Sequence, residues 1–457
     1  MLKAKNIVFL ILIMLLSLPV YCQEEKKHYF IPAAEMLTES VLLHCFNRFV
    51  TPEKNYGHVD WSDIDHNLHS NWVWDQDEFN INHIGHPYQG SAYFTTARSA
   101  GLNFWESAVY TTVFGNIPWE IFCEPETPAI NDIIITTVGG ATLGEMLHRF
   151  YADSWYSSNF RWFSYFMAPL EGINYHIFGW EPQGISDRTE ELETLFFGGA
   201  FLKSTKIDDI RRDLSDFYHF VFGTGINVVY GKPYGHNTKA PFDSFELKLL
   251  GSFSSESYLF TLFSDGYLWS RSVCTGLNTA STIGISLHYN FVYSDLINYS
   301  DNSIGFTFKS RAFLPHDMQL DFKMHLNWLM LGGTEYYKFM NGSIPKPVSG
   351  EERRDYDLCT GENIKVALTL SHEDFGKLSL AGMFSGMHTI DDAVPDEGSD
   401  GFTSIVMLNL SYEHHILTNL SAGMSYQSYY KKGFYDNAED LFDSTHFISF
   451  FCKLKVR

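Results

Sequence analysis

From about residue 218 to the end of the chain, apolar and polar side chains alternate along stretches of roughly ten residues or more, and turn-forming residues separate the stretches. Between 282 and 293, Ile283, Ile285, Leu287, Tyr289, Phe291 and Tyr293 share one face while Thr282, Gly284, Ser286, His288 and Asn290 share the other. A period of two means a strand, because successive side chains of an extended backbone point to opposite faces. Met318, Leu320, Phe322, Met324, Leu326 and Trp328 repeat the pattern against Gln319, Asp321, Lys323, His325 and Asn327, and so do Phe402, Ser404, Val406, Leu408, Leu410 and Tyr412 against Thr403, Asn409, Ser411 and Glu413. At the end, Ile448, Phe450, Cys452, Leu454 and Val456 alternate with Ser449, Lys453, Lys455 and Arg457, which predicts a closing strand paired on both edges.

Eleven strands are predicted, near 218–230, 243–253, 256–270, 281–294, 303–312, 317–331, 362–372, 376–388, 402–413, 418–430 and 445–457. Transmembrane strands need about 9 to 11 residues, an outward apolar band with aromatic girdles, and a polar interior, and these stretches fit. The later connections alternate in length: 313–316, 372–376 and 414–418 are short, whereas 332–361, 389–401 and 431–444 are long and rich in Asp, Glu, Gly and Ser. Short turns on the periplasmic side and long loops outside are the barrel arrangement. Bacterial barrels have even strand counts, so a twelfth strand is expected upstream, in 161–179 (Phe163, Tyr165, Met167) or in 194–203. A soluble β-sandwich also alternates, but its strands average about 5 to 6 residues and its outer face is polar. The expected fold is thus predominantly β, an antiparallel transmembrane barrel of about 12 strands over 156–457, with a helical domain over 23–155 packed in or under it.

The N-terminal part has helical spacing instead. Ala34, Met36, Leu37, Val41, Leu42, Cys45, Phe46 and Phe49 recur at three and four up to Pro52, and further helices are predicted near 87–100, 104–121 and 128–150. Asn103 with Glu106 three residues on reads as a capping box, and Thr127-Pro128 as an N-cap with Pro at the first helical position. Asp132, Thr136, Gly140, Gly144 and His148 lie four apart on one ridge, whose small members would let a second helix approach closely.

Composition narrows the setting. The 457 residues carry 54 Asp+Glu against 32 Lys+Arg, a formal charge of −22, so nucleic acid is not an expected partner. Aromatics at 16% with only 19% charged residues exclude disorder. Residues 1–22 have Lys3 and Lys5, an apolar run from Ile7 to Leu16, then Pro19 and Cys22, which reads as a cleaved signal peptide for export; a lipid on Cys22 is the alternative. Cleavage removes two lysines and no acid, leaving −24. No later segment is apolar for about 18 residues, so no transmembrane helix is expected. Cys45, Cys123, Cys274, Cys359 and Cys452 form neither a disulfide framework nor a C-x-x-C zinc site. His83 and His86 lack an evident third ligand, so no metal and no cofactor is implied.

The run from Trp74 through His86-Pro-Tyr-Gln-Gly90, Arg98, Phe104-Trp-Glu-Ser107, Trp119-Glu120 and Asn131-Asp132 to Gly139-Gly140-Ala-Thr-Leu-Gly144-Glu145 resembles domain-of-unknown-function family 3943 of Gram-negative outer-membrane and exported proteins. The resemblance covers about 75 residues, implies export to the envelope, and brings no reaction with it. Two functional readings remain. In the first, the chain is an outer-membrane barrel with a helical periplasmic or plug domain and an envelope structural, transport or binding role, whose partners are outer-membrane lipid, the barrel-assembly machinery during biogenesis, and an unidentified small-molecule or lipid ligand. In the second it is a membrane-embedded enzyme acting on phospholipid or lipopolysaccharide, with His86 as acid or base, Glu106 or Asp132 orienting it, and Arg98, Asn131 and Trp105 as ligand contacts. Ser91 and Ser107 are candidate nucleophiles, but no G-x-S-x-G elbow or H-E-x-x-H is present.

Overall fold

The computed structural model describes residues 26–50, 57–157, 160–185, 187–207, 210–212, 219–254, 258–273, 276–294, 297–335, 354, 356–394 and 398–457. The expected signal peptide and Cys22 lie outside the described residues. The chain divides into a helical unit, which runs to Arg188 and includes Arg354, and a β unit from Thr189 to the end.

The helical unit begins with α1 (Phe30–Phe49) and α2 (Trp61–His69), the latter started by a capping box in which Asp60 accepts from Ser62 and Asp63. A π-helical turn, Ile81–Gly85, runs straight into α3 (His86–Ser99). Next come α4 (Phe104–Tyr110), a second π-helical turn (Thr111–Asn116) and α5 (Ile117–Phe122). The long α6 (Ile130–Trp155), α7 (Arg161–Met167) and α8 (Pro169–Phe178) complete it. No helix among the described residues is long and apolar enough to cross a membrane.

The centre of this unit is the crossing of α3 and α6, and the small ridge explains it. A Cβ on Gly140 would lie 2.6 Å from the carbonyl carbon of Gly90, and one on Gly90 only 2.0 Å from the Thr136 carbonyl oxygen, so the two backbones touch directly. Met36, Tyr93, Ala97 and Leu102 fill the space beside the crossing. Arg98, Glu145, Arg149, His148 and Glu171 are buried as a charged network: Arg98 Nε and Arg149 Nε each lie 2.9 Å from the Glu145 carboxylate, and His148 Nδ1 lies 2.8 Å from Glu171.

The segment 161–179 is helical, not the twelfth strand. Phe163, Tyr165 and Met167 fit a period of two, but Pro169 opens α8 at its first position and Gly179, at φ 73°, ends it in the left-handed conformation. Tyr165 and Tyr175 pack edge-on around Trp155. The boundary between helices and strands therefore falls near 189 rather than 156.

The missing strand is the other candidate region, within β1 (Thr189–Ile207). After a three-residue piece, β2 (Ile210–Arg212), follow β3 (His219–Tyr230), β4 (Phe245–Phe253), β5 (Tyr258–Val273), β6 (Thr279–Ser294), β7 (Asn298–Phe313) and β8 (Gln319–Glu335). Then come β9 (Tyr356–His372), β10 (Gly376–Thr389), β11 (Gly401–Leu417), β12 (Leu420–Tyr435) and β13 (Leu441–Lys455). Each long strand pairs antiparallel with its sequence neighbour, and β13 pairs back onto β1 from Glu193↔Lys455 to Ile207↔Leu441. With β2 only a short return against β1, twelve strands among the described residues close the wall.

The outer face is the apolar one: Ile364, Val366, Leu368 and Leu370 of β9, Leu408 and Leu410 of β11, and Ile448 and Phe450 of β13 are all exposed. Two features depart from expectation. The lumen is not uniformly polar, because Val292, Leu329, Met383, Met387 and Ile405 gather there around Tyr299 and Tyr429 as a buried apolar cluster. The alternation of short and long connections also has an exception at 231–244, which lies at the same barrel end as the short turns 314–318 and 373–375. It folds back along β5, where Phe242 donates its N–H to the Tyr267 carbonyl (2.6 Å) and Thr238 to that of Ser270 (3.3 Å).

Candidate functional site

Within the helical unit, the family-like motif converges on a buried polar cluster. The π-helical turn before α3 places His83 and His86 inside, with His83 wholly buried against Phe79 at 4.7 Å and His86 facing α6. His86 Nδ1 lies 3.3 Å from Thr136 Oγ1, and its Nε2 points at Asp132 Oδ1 at 3.6 Å. Asp132 is in the first turn of α6, where a carboxylate complements the helix dipole. Asn131 donates from Nδ2 to Asp132 Oδ1 (2.7 Å) and accepts from the Asp75 N–H (3.1 Å), so it orders the cluster from inside. Asn82 donates to Asp75 Oδ1 at 2.8 Å, and Arg354 donates to the Asp75 carbonyl at 2.8 Å.

Two further acids join Asp132. Glu120, near the end of α5, accepts from the Ala129 N–H at 2.8 Å, and Glu124, just past the helix end, accepts from the Trp119 indole. Oxygens of Glu120, Glu124 and Asp132 all lie within 4.8 Å of one another. Burial pushes Glu120 up to about 8, opposed by its hydrogen bond from Ala129 and helped by the charge of Asp75; burial, and then the charges of neighbouring acids including Glu120 and Asp75, hold Glu124 and Asp132 well above the usual carboxylate range. Burial lowers His86 to about 4, opposed by the charge of Asp75, and lowers His83 to about 3 with help from Arg354 and His86. Both imidazoles are therefore neutral at pH 7, with a nitrogen lone pair available.

The predicted residues divide accordingly. His86, Asp132 and Asn131 come together. Glu106 does not join them: it caps α4 with Asn103 and holds Lys27 Nζ at 2.9 Å from both carboxylate oxygens. Arg98 is committed to Glu145 and to the Leu102 carbonyl, and Trp105 packs edge-on against Phe104 at 4.9 Å. Ser91 Oγ donates to the Tyr88 carbonyl (2.7 Å) and Ser107 Oγ reaches that of Leu102 (3.5 Å). Sequence reasoning missed Glu120 and Glu124 as site residues, although their spacing of four was visible.

The β unit has its own site, a cavity of about 630 Å³ at the short-turn end of the lumen, lined among others by Tyr234, Glu246, Arg311, Asp321, Lys323 and Lys377. Its floor is a set of charged bridges between strands that are not neighbours. Lys309 of β7 reaches Glu246 of β4 (2.8 Å) and Asp265 of β5 (2.6 Å), and Lys323 of β8 reaches Glu246 (2.5 Å). Deeper in, Lys365 of β9 donates to Asn290 of β6 (2.8 Å), Asn290 to Asp301 of β7 (2.8 Å), and Tyr299 of β7 meets Ser385 of β10 (2.8 Å). The apolar cluster around Tyr299 and Tyr429 lies beyond these bridges. The lumen is thus filled in layers, charged next to the cavity, apolar around Tyr299 and Tyr429, and charged again beyond them, where Lys431 Nζ lies 3.5 Å from Glu335.

The family model described as a domain of unknown function (DUF3943) matches residues 71–175, which takes in the whole motif run and extends it to α8. No curated protein matches the chain. Among solved structures, the chain is similar to a Pseudomonas aeruginosa FadL homologue (8% identity, 58% of this chain and 90% of that one, TM-score 0.27). It is also similar to the outer-membrane protein OmpT of Vibrio cholerae (8%, 57% and 97%, TM-score 0.21) and to the KdgM porin (8%, 57% and 99%, TM-score 0.21).

Proposed function

We propose that this chain, whose residues 71–175 match a domain of unknown function, is an outer-membrane barrel that takes a small charged solute into its short-turn cavity and passes it only when the lumen rearranges. The observation that carries this reading is the set of side-chain bridges across the lumen. Links from β4 to β7, from β6 to β9 and from β7 to β10 tie together strands that are not neighbours in the wall, whereas an open diffusion pore needs a clear aqueous lumen. The cavity supports binding because it presents both carboxylates and ammonium groups, which suits a solute carrying both signs of charge. Membrane placement rests on the exposed apolar face of strand after strand, for which lipid is the matching solvent.

The test is conductance. The full-length protein is expected in the outer-membrane fraction, with a gel mobility that differs between boiled and unboiled samples. In planar bilayers in KCl it shows no sustained open state, whereas Lys309→Ala combined with Lys365→Ala raises conductance severalfold. A steady porin-sized current from the unaltered protein, or its recovery as a soluble species, overturns the proposal.

A further inference from the structure

We infer that Glu120, Glu124 and Asp132 of the helical unit, with His86 aimed at them, hold one oxygen-preferring divalent cation, Ca²⁺ or Mn²⁺. This assignment does not depend on the reading of the lumen.

Three carboxylates come together in a largely buried place, where charge without a counter-charge is expensive. Among the described residues no Lys or Arg pairs with any of the three. Each has one oxygen steered by a donor: Glu120 by the Ala129 N–H, Glu124 by the Trp119 indole, Asp132 by Asn131. Outer donors of this kind orient carboxylate ligands at metal centres. In Glu120, which is 1% exposed, the second oxygen, Oε1, is buried and accepts a hydrogen bond from nothing among the described residues.

His86 supplies an observation outside the acidic trio. It is 4% exposed, its Nδ1 is engaged by Thr136, and its Nε2 points into the cluster at 3.6 Å from Asp132 Oδ1, beyond hydrogen-bond range. One ring nitrogen is held by a protein group while the other, buried, is aimed at a carboxylate of the set, the arrangement of an outer group that positions a metal-binding acid. The spacing suits the ion as well. Oxygens about 2.3 to 2.6 Å from a Ca²⁺ stand at most about 5 Å apart across it, and the three acids fall within 4.8 Å. A set of carboxylates with no thiolate favours Ca²⁺ or Mn²⁺ over softer ions.

The local fold makes the convergence possible. Glu120 lies in the last turn of α5 and Glu124 two residues past its end, and the turn through Thr127-Pro128 starts α6 so that Asp132 returns to them. The π-helical turn Ile81–Gly85 shifts the register ahead of α3, and such turns recur at functional sites.

The test uses the full-length protein in detergent, stripped with EDTA and titrated with Ca²⁺ and Mn²⁺ by calorimetry, with amide exchange followed over 117–132. The expected result is one equivalent of at least one ion, with increased protection of α5 and the start of α6. Glu124→Gln and Asp132→Asn should each weaken that binding by at least about tenfold. Absence of binding by both ions, unchanged protection over 117–132, or an affinity in the two variants equal to that of the unaltered protein overturns the assignment. If either variant fails to fold, the titration and exchange of the unaltered protein decide the matter alone.

Discussion

Gly140 and Glu39 show how much single positions decide in the helical unit. At Gly140 the missing side chain lets α3 and α6 meet backbone to backbone, since any Cβ would press on Gly90. Gly140→Ala is expected to reduce the protection of α3 and α6 amides by the equivalent of about 1 to 3 kcal/mol, the usual penalty for overpacking a tight contact. Unchanged exchange in both helices would show that the crossing can give way. Glu39, on α1, accepts from Thr96 at 2.7 Å and is pushed by burial from its ordinary 4.5 up to about 8, with Glu35 adding to the rise and Thr96 opposing it. Its raised value favours folding fully below about pH 4.5, where folded and unfolded chains are both protonated. That contribution is lost as pH climbs towards 8, because only the unfolded carboxyl ionises freely. Protection of α1 and α3 amides in the full-length protein should therefore fall between pH 5 and 8, and the fall should be smaller in Glu39→Gln; equal slopes would remove Glu39 as a cause. The sequence exposed some of these roles and hid others. The Gly140 ridge and the Asn103–Glu106 capping box are local patterns and were legible as such. The pairing of Lys27 with Glu106 joins residues 79 apart, and no local pattern announces it.

At the scale of elements, a strand is readable when its two faces meet different solvents. All eleven predicted strands are present because their outward sides are apolar and exposed, while most of their lumen positions are polar. The reading weakened where the lumen itself turns apolar: Ile405 and Met407 share the polar face of β11, and the period there was correspondingly blurred. It failed over 161–179, where seven-residue α7 is too short for a period of 3.6 to separate from a period of two. The two-faced wall predicts an asymmetry between adjacent residues. Leu408→Arg, on the outward side near the middle of β11, should destabilise the folded barrel by about 2 to 4 kcal/mol, whereas Asn409→Arg, on the lumen side, should be tolerated. The measurement is the temperature at which the folded band converts to the unfolded one on gels. Equal shifts for the pair would contradict the assignment of faces.

The whole molecule combines two kinds of contact. In the helical unit the motif is nearly continuous in sequence, so its presence, though not its chemistry, could be recognised from residues 74–145 alone. The lumen bridges could not, because Lys309, Glu246 and Lys365 look like ordinary interior polarity until the wall curves round and brings distant strands face to face. The same curvature joins β1 to β13, whose paired residues are more than 230 positions apart in the chain. That seam gives the molecule a sequence in time as well as in space. Contacts of short range form early and contacts of long range form late, so the helical unit can assemble while the first strand's free edge still waits for its partner. During that interval β1 presents unpaired N–H and C=O groups along its whole length, an invitation to any other strand. Until β13 arrives the chain needs an escort for that edge, and its greatest exposure to misassembly comes before the wall closes.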